Sequence, residues 1–166
     1  MALIHETLYR TRKYSVVEMD LYLKTLVGQI TGTYALPGKL QVQVEADGIV
    51  LDLSRATTCG LIVNELVTNS FKYAFSAPFD CMGTRGRACT IAVTLWEEGG
   101  KYVLCIQDNG IGLPAGFDAR NARSLGLKLV NFLAKHQLRA TVDVRSGEGT
   151  EFELRFPVNQ QHRKDP

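Results

Sequence analysis

Four short segments, in a fixed order along the 166 residues, carry side chains that could handle a phosphorylated ligand. The first is Asn64-Glu65-Leu66-Val67-Thr68-Asn69, with Lys72 and Tyr73 just beyond it. On a helix, Glu65, Asn69, Lys72 and Tyr73 fall at i, i+4, i+7 and i+8 and share one face. A carboxylate and a carboxamide one turn apart offer two hard oxygens to a hydrated cation. Mg²⁺ prefers such ligands and keeps several waters, so one protein oxygen plus phosphates suffices. Lys72 could then reach a phosphate. Taken alone, a solvated helix face is the plainer explanation of the same stripe, since polar stripes are the rule on surface helices.

The second segment is Asp108-Asn109-Gly110-Ile111-Gly112, at the end of the apolar run Leu104-Cys105-Ile106. A carboxylate there can accept a hydrogen bond from a ligand amine, and glycines at 110 and 112 permit close approach of the backbone to a flat ring. An Asp-Asn-Gly turn is the plainer alternative. In the third, Ser124-Leu125-Gly126-Leu127, Ser124 is a candidate N-cap. Free N–H groups at that helix start could hold phosphate oxygens, with Arg120, Arg123 and Lys128 as counter-charges. Capping and packing alone would also account for it. The fourth, Gly147-Glu148-Gly149-Thr150, reads by itself as a tight turn. Singly each segment has a bland explanation; together and in this order they do not.

The elements that must position these residues follow from periodicity. Residues 2–12 read as helical, and a second helix runs from an N-cap at Ser15 to Thr31, with Val16, Leu23, Leu26, Val27 and Ile30 as its buried stripe. Leu40, Val42 and Val44 alternate with polar residues as a half-buried strand, and Asp47-Gly48 turns into a short strand at 49–51. Residues 54–74 form the longest helix, and 76–88 a loop. Residues 88–97 and 101–107 make a hairpin about Gly99-Gly100. Residues 124–136 are helical, 140–144 and 152–156 close the fold as a second hairpin, and the polar tail 159–166 reads as disordered. The sum is an α+β two-layer sandwich, a mixed and mostly antiparallel sheet covered by helices on one face.

Bulk properties narrow the function classes. A net charge of +2 is too small for a nucleic-acid binder that works through a basic stripe. The four cysteines, at 59, 81, 89 and 105, show no CxxC spacing, which argues against a zinc or thioredoxin-like site. Cys59 and Cys105 lie in apolar runs and read as buried thiols. Reduced thiols and the lack of a 20-residue apolar run or a signal peptide predict a soluble cytoplasmic domain, whatever anchors its parent.

With these residues in hand, the chain resembles the GHKL superfamily of ATP-binding domains, from about Leu40 to Pro157. The stretches LIVNELVTNSFKYAF (61–75) and SLGLKLV (124–130) are similar to those of sensor histidine kinases. The resemblance implies the Bergerat fold, with ATP held between the helical layer and a lid. It implies that Asn69 coordinates Mg²⁺ and Asp108 binds the adenine amine. Gly110 and Gly112 would line the base pocket. Ser124, Leu125, Gly126 and Leu127 would sit by the phosphates, with Lys72 and Tyr73 beside them. Thr150 would back the adenine near Asp108, and Glu65 would orient metal-bound water or act as a base.

Met1 to Tyr9 (MALIHETLY) resembles the end of the second dimerisation helix in a subfamily related to the HWE kinases. HWE proteins carry Trp two residues before the acid of the second motif, where this chain has Ile106. The implied organisation is a helix remnant at 1–12, a catalytic domain at 13–158 and a tail at 159–166. The phosphoacceptor histidine then lies upstream of residue 1 and is not His5; His136 and His162 match no motif. The implied partners are the chain's own upstream phosphoacceptor helices in a homodimer, and a response regulator. Only residues 113–123 separate Gly112 from Ser124, so the lid is short. An anti-sigma-factor-type serine kinase and a degenerate nucleotide-binding scaffold are the alternatives.

Overall fold

The computed structural model describes residues 16–34 and 40–158. Residues 1–12 and 159–166, and the N-cap expected at Ser15, lie outside them. In chain order the elements are β1 (Val16–Glu18), α1 (Met19–Thr33), β2 (Leu40–Glu45), β3 (Val50–Asp52) and α2 (Leu53–Asn69), which a π-turn (Ser70–Ala74) extends. Then come α3 (Cys81–Arg85), β4 (Cys89–Glu98), β5 (Lys101–Asp108), a 3₁₀ turn (Ala119–Asn121) and α4 (Leu125–Phe132), extended by a second π-turn (Leu133–Leu138). β6 (Thr141–Gly147) and β7 (Gly149–Pro157) close the fold.

Five strands form one sheet in the order β2-β4-β5-β7-β6. β2 runs parallel to β4, and the remaining pairings are antiparallel. Alternation decides which face is covered. Ile91, Val93 and Leu95 of β4, Leu104 and Ile106 of β5, and Phe152, Leu154 and Phe156 of β7 are buried in one core with α1, α2 and α4. The α+β sandwich expected from the sequence is the fold.

Asp52 caps α2: its Oδ1 accepts from Arg55 N at 3.0 Å. Loss of such a cap costs about 1 kcal/mol. Arg55 in turn donates to Asp52 Oδ2 and to the Pro157 carbonyl, which fastens the start of α2 to the end of β7.

Three elements differ from the sequence reading. α1 begins at Met19, because Val16–Glu18 pairs with Val50–Asp52 as a separate two-stranded ribbon; Val16 is therefore exposed and not part of the helical stripe. The predicted 54–74 helix changes pitch at Ser70, where i→i+5 hydrogen bonding begins. The predicted loop 76–88 holds the one-turn helix α3, capped by Asp80, which accepts from Met82 N and Gly83 N. Cys81, which opens α3, and Cys89, which opens β4, form a disulfide with Cα atoms 5.3 Å apart. The expectation of reduced thiols thus holds for buried Cys59 and Cys105 alone.

Candidate nucleotide site

Asp108 is the last residue of β5 and is only 5% exposed. Its register partners are Ile91 on β4 and Thr150 on β7, which places its side chain on the helix-covered face. Oδ1 accepts from the backbone N–H of Gly110 (3.0 Å) and of Thr150 (3.2 Å), and Oδ2 accepts from Ser70 Oγ (2.7 Å). Burial pushes the Asp108 pKa above the ordinary carboxylate value, against the opposing pull of these hydrogen bonds and of the Arg85 charge. A carboxylate fixed by three donors, with acceptor capacity left over, suits a ligand amine.

Each contact has a local cause. The π-turn turns Ser70, Phe71 and Ala74 inward and leaves Lys72 and Tyr73 exposed. Single π-turns of this kind often mark functional sites. A Cβ at Gly110 would run into the Ala74 carbonyl, which accepts from Ile111 N. Gly110 is therefore needed where β5 leaves the sheet against the end of α2. Gly112 has φ of +80° and packs against Ser146 and the Gly147 and Gly149 carbonyls. Gly149, at φ +106°, lies so near the Asp108 carbonyl that a side chain has no room, and this closeness delivers Thr150 N–H to Asp108. The second and fourth segments thus form one unit.

The first and third segments also meet. Ser124 caps α4, its Oγ accepting from Leu127 N at 3.4 Å. A Cβ at Gly126 would sit 2.6 Å from Glu65 Oε2, so the missing side chain lets the start of α4 lie beside that carboxylate. Glu65 and Asn69 are both half-buried, one turn apart on α2. Leu125 is 83% exposed, whereas the Leu127 side chain is in the core and its N–H serves the cap. The exposed side chains of Leu125, Leu129 and Phe132 form a stripe along α4 at i, i+4 and i+7.

The short lid is tied at both ends. Leu113 N donates to Ser146 Oγ (2.8 Å), Asn131 Nδ2 donates to the Ala119 carbonyl (2.7 Å), and Ala122 is buried. On the opposite, uncovered face of the sheet, Gln41, Gln43, Thr90, Ala92 and Gln107 line a shallow cavity of about 400 Å³. Asp108 and Asn109 contribute to its wall, so it adjoins the site from the other side of the sheet.

Two residues of the site escape the sequence reading. Ser70 follows Asn69 directly, and its spacing of four from Leu66 would have placed it on the buried side of the helix. Arg85 carries no such signal. It comes from α3, donates to the Asn109 carbonyl at 2.6 Å and lies over the Phe79 ring.

The chain is similar to several known proteins. The sequence profile of the family described as histidine kinase-, DNA gyrase B-, and HSP90-like ATPase matches residues 54–160. The chain is 27% identical over 98% of its length to sensor histidine kinase PdtaS of Mycobacterium tuberculosis, covering 31% of that protein. It is 30% identical over 75% of its length to blue-light-activated histidine kinase 2 of Erythrobacter litoralis, covering 34%. The chain therefore spans about a third of the curated relatives it matches. Among solved structures, the histidine kinase domain of the Erythrobacter litoralis EL346 blue-light activated kinase superposes with a TM-score of 0.75 at 25% identity, over 87% of this chain and 63% of that one.

Proposed function

The chain belongs to the histidine kinase-, DNA gyrase B- and HSP90-like ATPase family, and we propose that it is the ATP-binding catalytic domain of a sensor histidine kinase. In this reading it transfers the γ-phosphoryl group of Mg·ATP to a histidine on helices that precede residue 1, and a response regulator then takes the phosphate. The observation that carries the reading is the Asp108 carboxylate, buried and held by Ser70, Gly110 and Thr150 so that it can accept the adenine amine. Gly110 and Gly112 shape the backbone around the base. The phosphates extend toward Glu65, Asn69 and the start of α4 at Ser124–Leu127, with Lys72 and Tyr73 at the open edge.

Mg²⁺ suits this donor set. Among the described residues no cluster of three His, Cys, Asp or Glu side chains could hold a metal unaided. The Asn69 carboxamide, with Glu65 a turn away, offers the one or two hard oxygens that Mg²⁺ combines with phosphates and water. When bound, the ion neutralises charge on the phosphates. Glu65 orients its water shell, and the N–H groups at the start of α4 add fixed positive dipoles. Phosphoryl transfer needs mainly positioning and charge stabilisation, which is what these groups can supply.

The exposed Leu125–Leu129–Phe132 stripe beside the phosphate end is a surface for the phosphoacceptor helices of a homodimer. Among the described residues no helix is long and apolar enough to cross a membrane. We assign the domain to the cytoplasm, where ATP is available.

The test is incubation of the parent protein, with its N-terminal helices, and [γ-³²P]ATP. An acid-labile, base-stable phosphoprotein is the expected product. Acid-stable phosphoserine would move the assignment to a serine kinase, and ATP binding without transfer would leave a nucleotide-binding scaffold.

A further inference from the structure

The Cys81–Cys89 disulfide closes the segment that braces the adenine end of the site. Cys81 opens α3 and is buried; Cys89 opens β4 and is partly exposed. Between them, Arg85 holds the Asn109 carbonyl at 2.6 Å. The Asn109 side chain is gripped on both sides, accepting from Thr90 N (2.7 Å) and donating to the Ala88 carbonyl (2.8 Å). Cys81 Sγ lies 3.9 Å from Asn109 Oδ1. Asn109 is the immediate neighbour of Asp108, so the bridge and the adenine acceptor are linked through one residue.

We propose that Cys81 and Cys89 form a redox-modification site that sets the affinity of the nucleotide pocket. The inference rests on the ATP-site reading above. Disulfides in ATP-using cytoplasmic domains are characteristically transient and redox-sensing. The bridge forms by exchange with a low-molecular-weight disulfide. One cysteine thiolate attacks it to give a mixed disulfide, and the second cysteine displaces the remaining half. The two cysteine thiols are oxidised to one disulfide, and the reagent leaves as two thiols carrying the two protons. Reduction reverses this, with attack by an external thiolate at the more accessible Cys89.

Once reduced, Cys81 is no longer tied to the start of β4, where Thr90 N donates to Asn109 Oδ1. The segment carrying Arg85 then keeps its hydrogen bonds and the exposed Arg87–Glu148 ion pair but loses its covalent tie to β4. Loss of the tie loosens the peptide next to Asp108 and weakens ATP binding. The remaining thiols do not confuse the readout. Burial pushes Cys59 up to about 12 and Cys105 up to about 11, which leaves them with almost no reactive thiolate at neutral pH.

The experiment is calorimetric titration of the chain with Mg·ATP after equilibration in oxidised glutathione or in dithiothreitol, with the disulfide scored by mass. Reduction should weaken binding about five- to tenfold, the lower range of coupling between two sites. By linkage, saturating ATP should make the bridge harder to reduce by the same factor. The C81S/C89S variant should bind as the reduced protein does in both buffers, and C59A/C105A should still respond. The wild-type comparison needs no substitution, so misfolding of a variant leaves the test intact. Equal affinity in both buffers, or a full response in C81S/C89S, overturns the redox proposal and spares the ATP site. Failure to bind ATP in either buffer overturns the site reading and this proposal with it.

Discussion

Asp108 sits where function and stability pull against each other. Its carboxyl has a raised pKa in the folded state, burial being the main cause. Between the unfolded value of 3.8 and the raised folded value, the native state binds more protons than the unfolded chain. Stability therefore falls as pH rises through that window, and the cost of the buried charge persists above it. Asp108→Asn removes the charge and keeps an oxygen for the Gly110 and Thr150 N–H groups. Thermal melts at pH 7 should show a Tm equal to or above that of the parent. ATP affinity should drop on the order of 100-fold, because an amide NH₂ faces the adenine amine where a charged acceptor stood. A lowered Tm with intact ATP binding would contradict both halves. Ser70→Ala tests the same carboxylate from the other side. Losing the 2.7 Å hydrogen bond should weaken ATP binding about fivefold at pH 8. It should also raise the pH at which binding is lost on acidification, since Ser70 holds the Asp108 pKa down against burial. The groups that act on Asp108, namely Arg85 and the Gly110 and Thr150 amides, stay in place. A pH midpoint that does not move would reduce Ser70 to packing.

At the scale of elements, the β6–β7 turn brings two glycines into contrast. Gly149 has φ +106° and no room for a Cβ against the Asp108 carbonyl, whereas Gly147 has open space. Gly149→Ala should destabilise the domain by about 1–3 kcal/mol in urea melts, the usual cost of overpacking. It should also weaken ATP binding by drawing Thr150 N–H away from Asp108. Gly147→Ala should do neither, and equal effects would mean that the turn tolerates β7 moving away from β5. This contact also shows what the sequence could and could not disclose. The alternation in β4 was legible because one face of that strand is apolar, and the Ser124 cap because capping is local. The meeting of Gly149 with Asp108 was not, because strand order is a non-local choice; nor was the parallel pairing of β2 with β4. The pitch change at Ser70 left no mark because the apolar spacing of α2 continues across it. The Cys81–Cys89 bridge depends on a chain reversal that lone-cysteine spacing does not encode. Asp108 and Thr150, which reasoning from the motifs singled out, are joined by a hydrogen bond, and Glu65 and Gly126 are in contact. Arg85 required the fold, since its role arises from where α3 happens to sit.

For the whole molecule, the proposed kinase role requires a surface to receive the helix that presents the histidine. α4 supplies one. Its buried side packs Leu127 and Val130 into the core, while Leu129 (37% exposed) and Phe132 (55%) face outward below Leu125. Apolar residues aligned on an exposed helix face mark interaction sites more often than isolated ones do. Phe132 also packs against the His136 ring, with centroids 4.8 Å apart and the planes tilted by 41°. Neither Leu129 nor Phe132 belongs to the nucleotide site, so the double variant L129S/F132S separates docking from binding. Calorimetry should give an ATP affinity within about twofold of the parent, the scatter expected of surface changes remote from a site. Autophosphorylation of the parent protein should fall on the order of tenfold or more, as expected when central apolar anchors of an interface are lost. The defect should ease as the concentration of a separately supplied phosphoacceptor fragment rises, because weakened docking is restored by mass action. If phosphorylation is unchanged, the helices dock elsewhere on the domain; if ATP affinity falls in parallel, the stripe supports the pocket and not the partner.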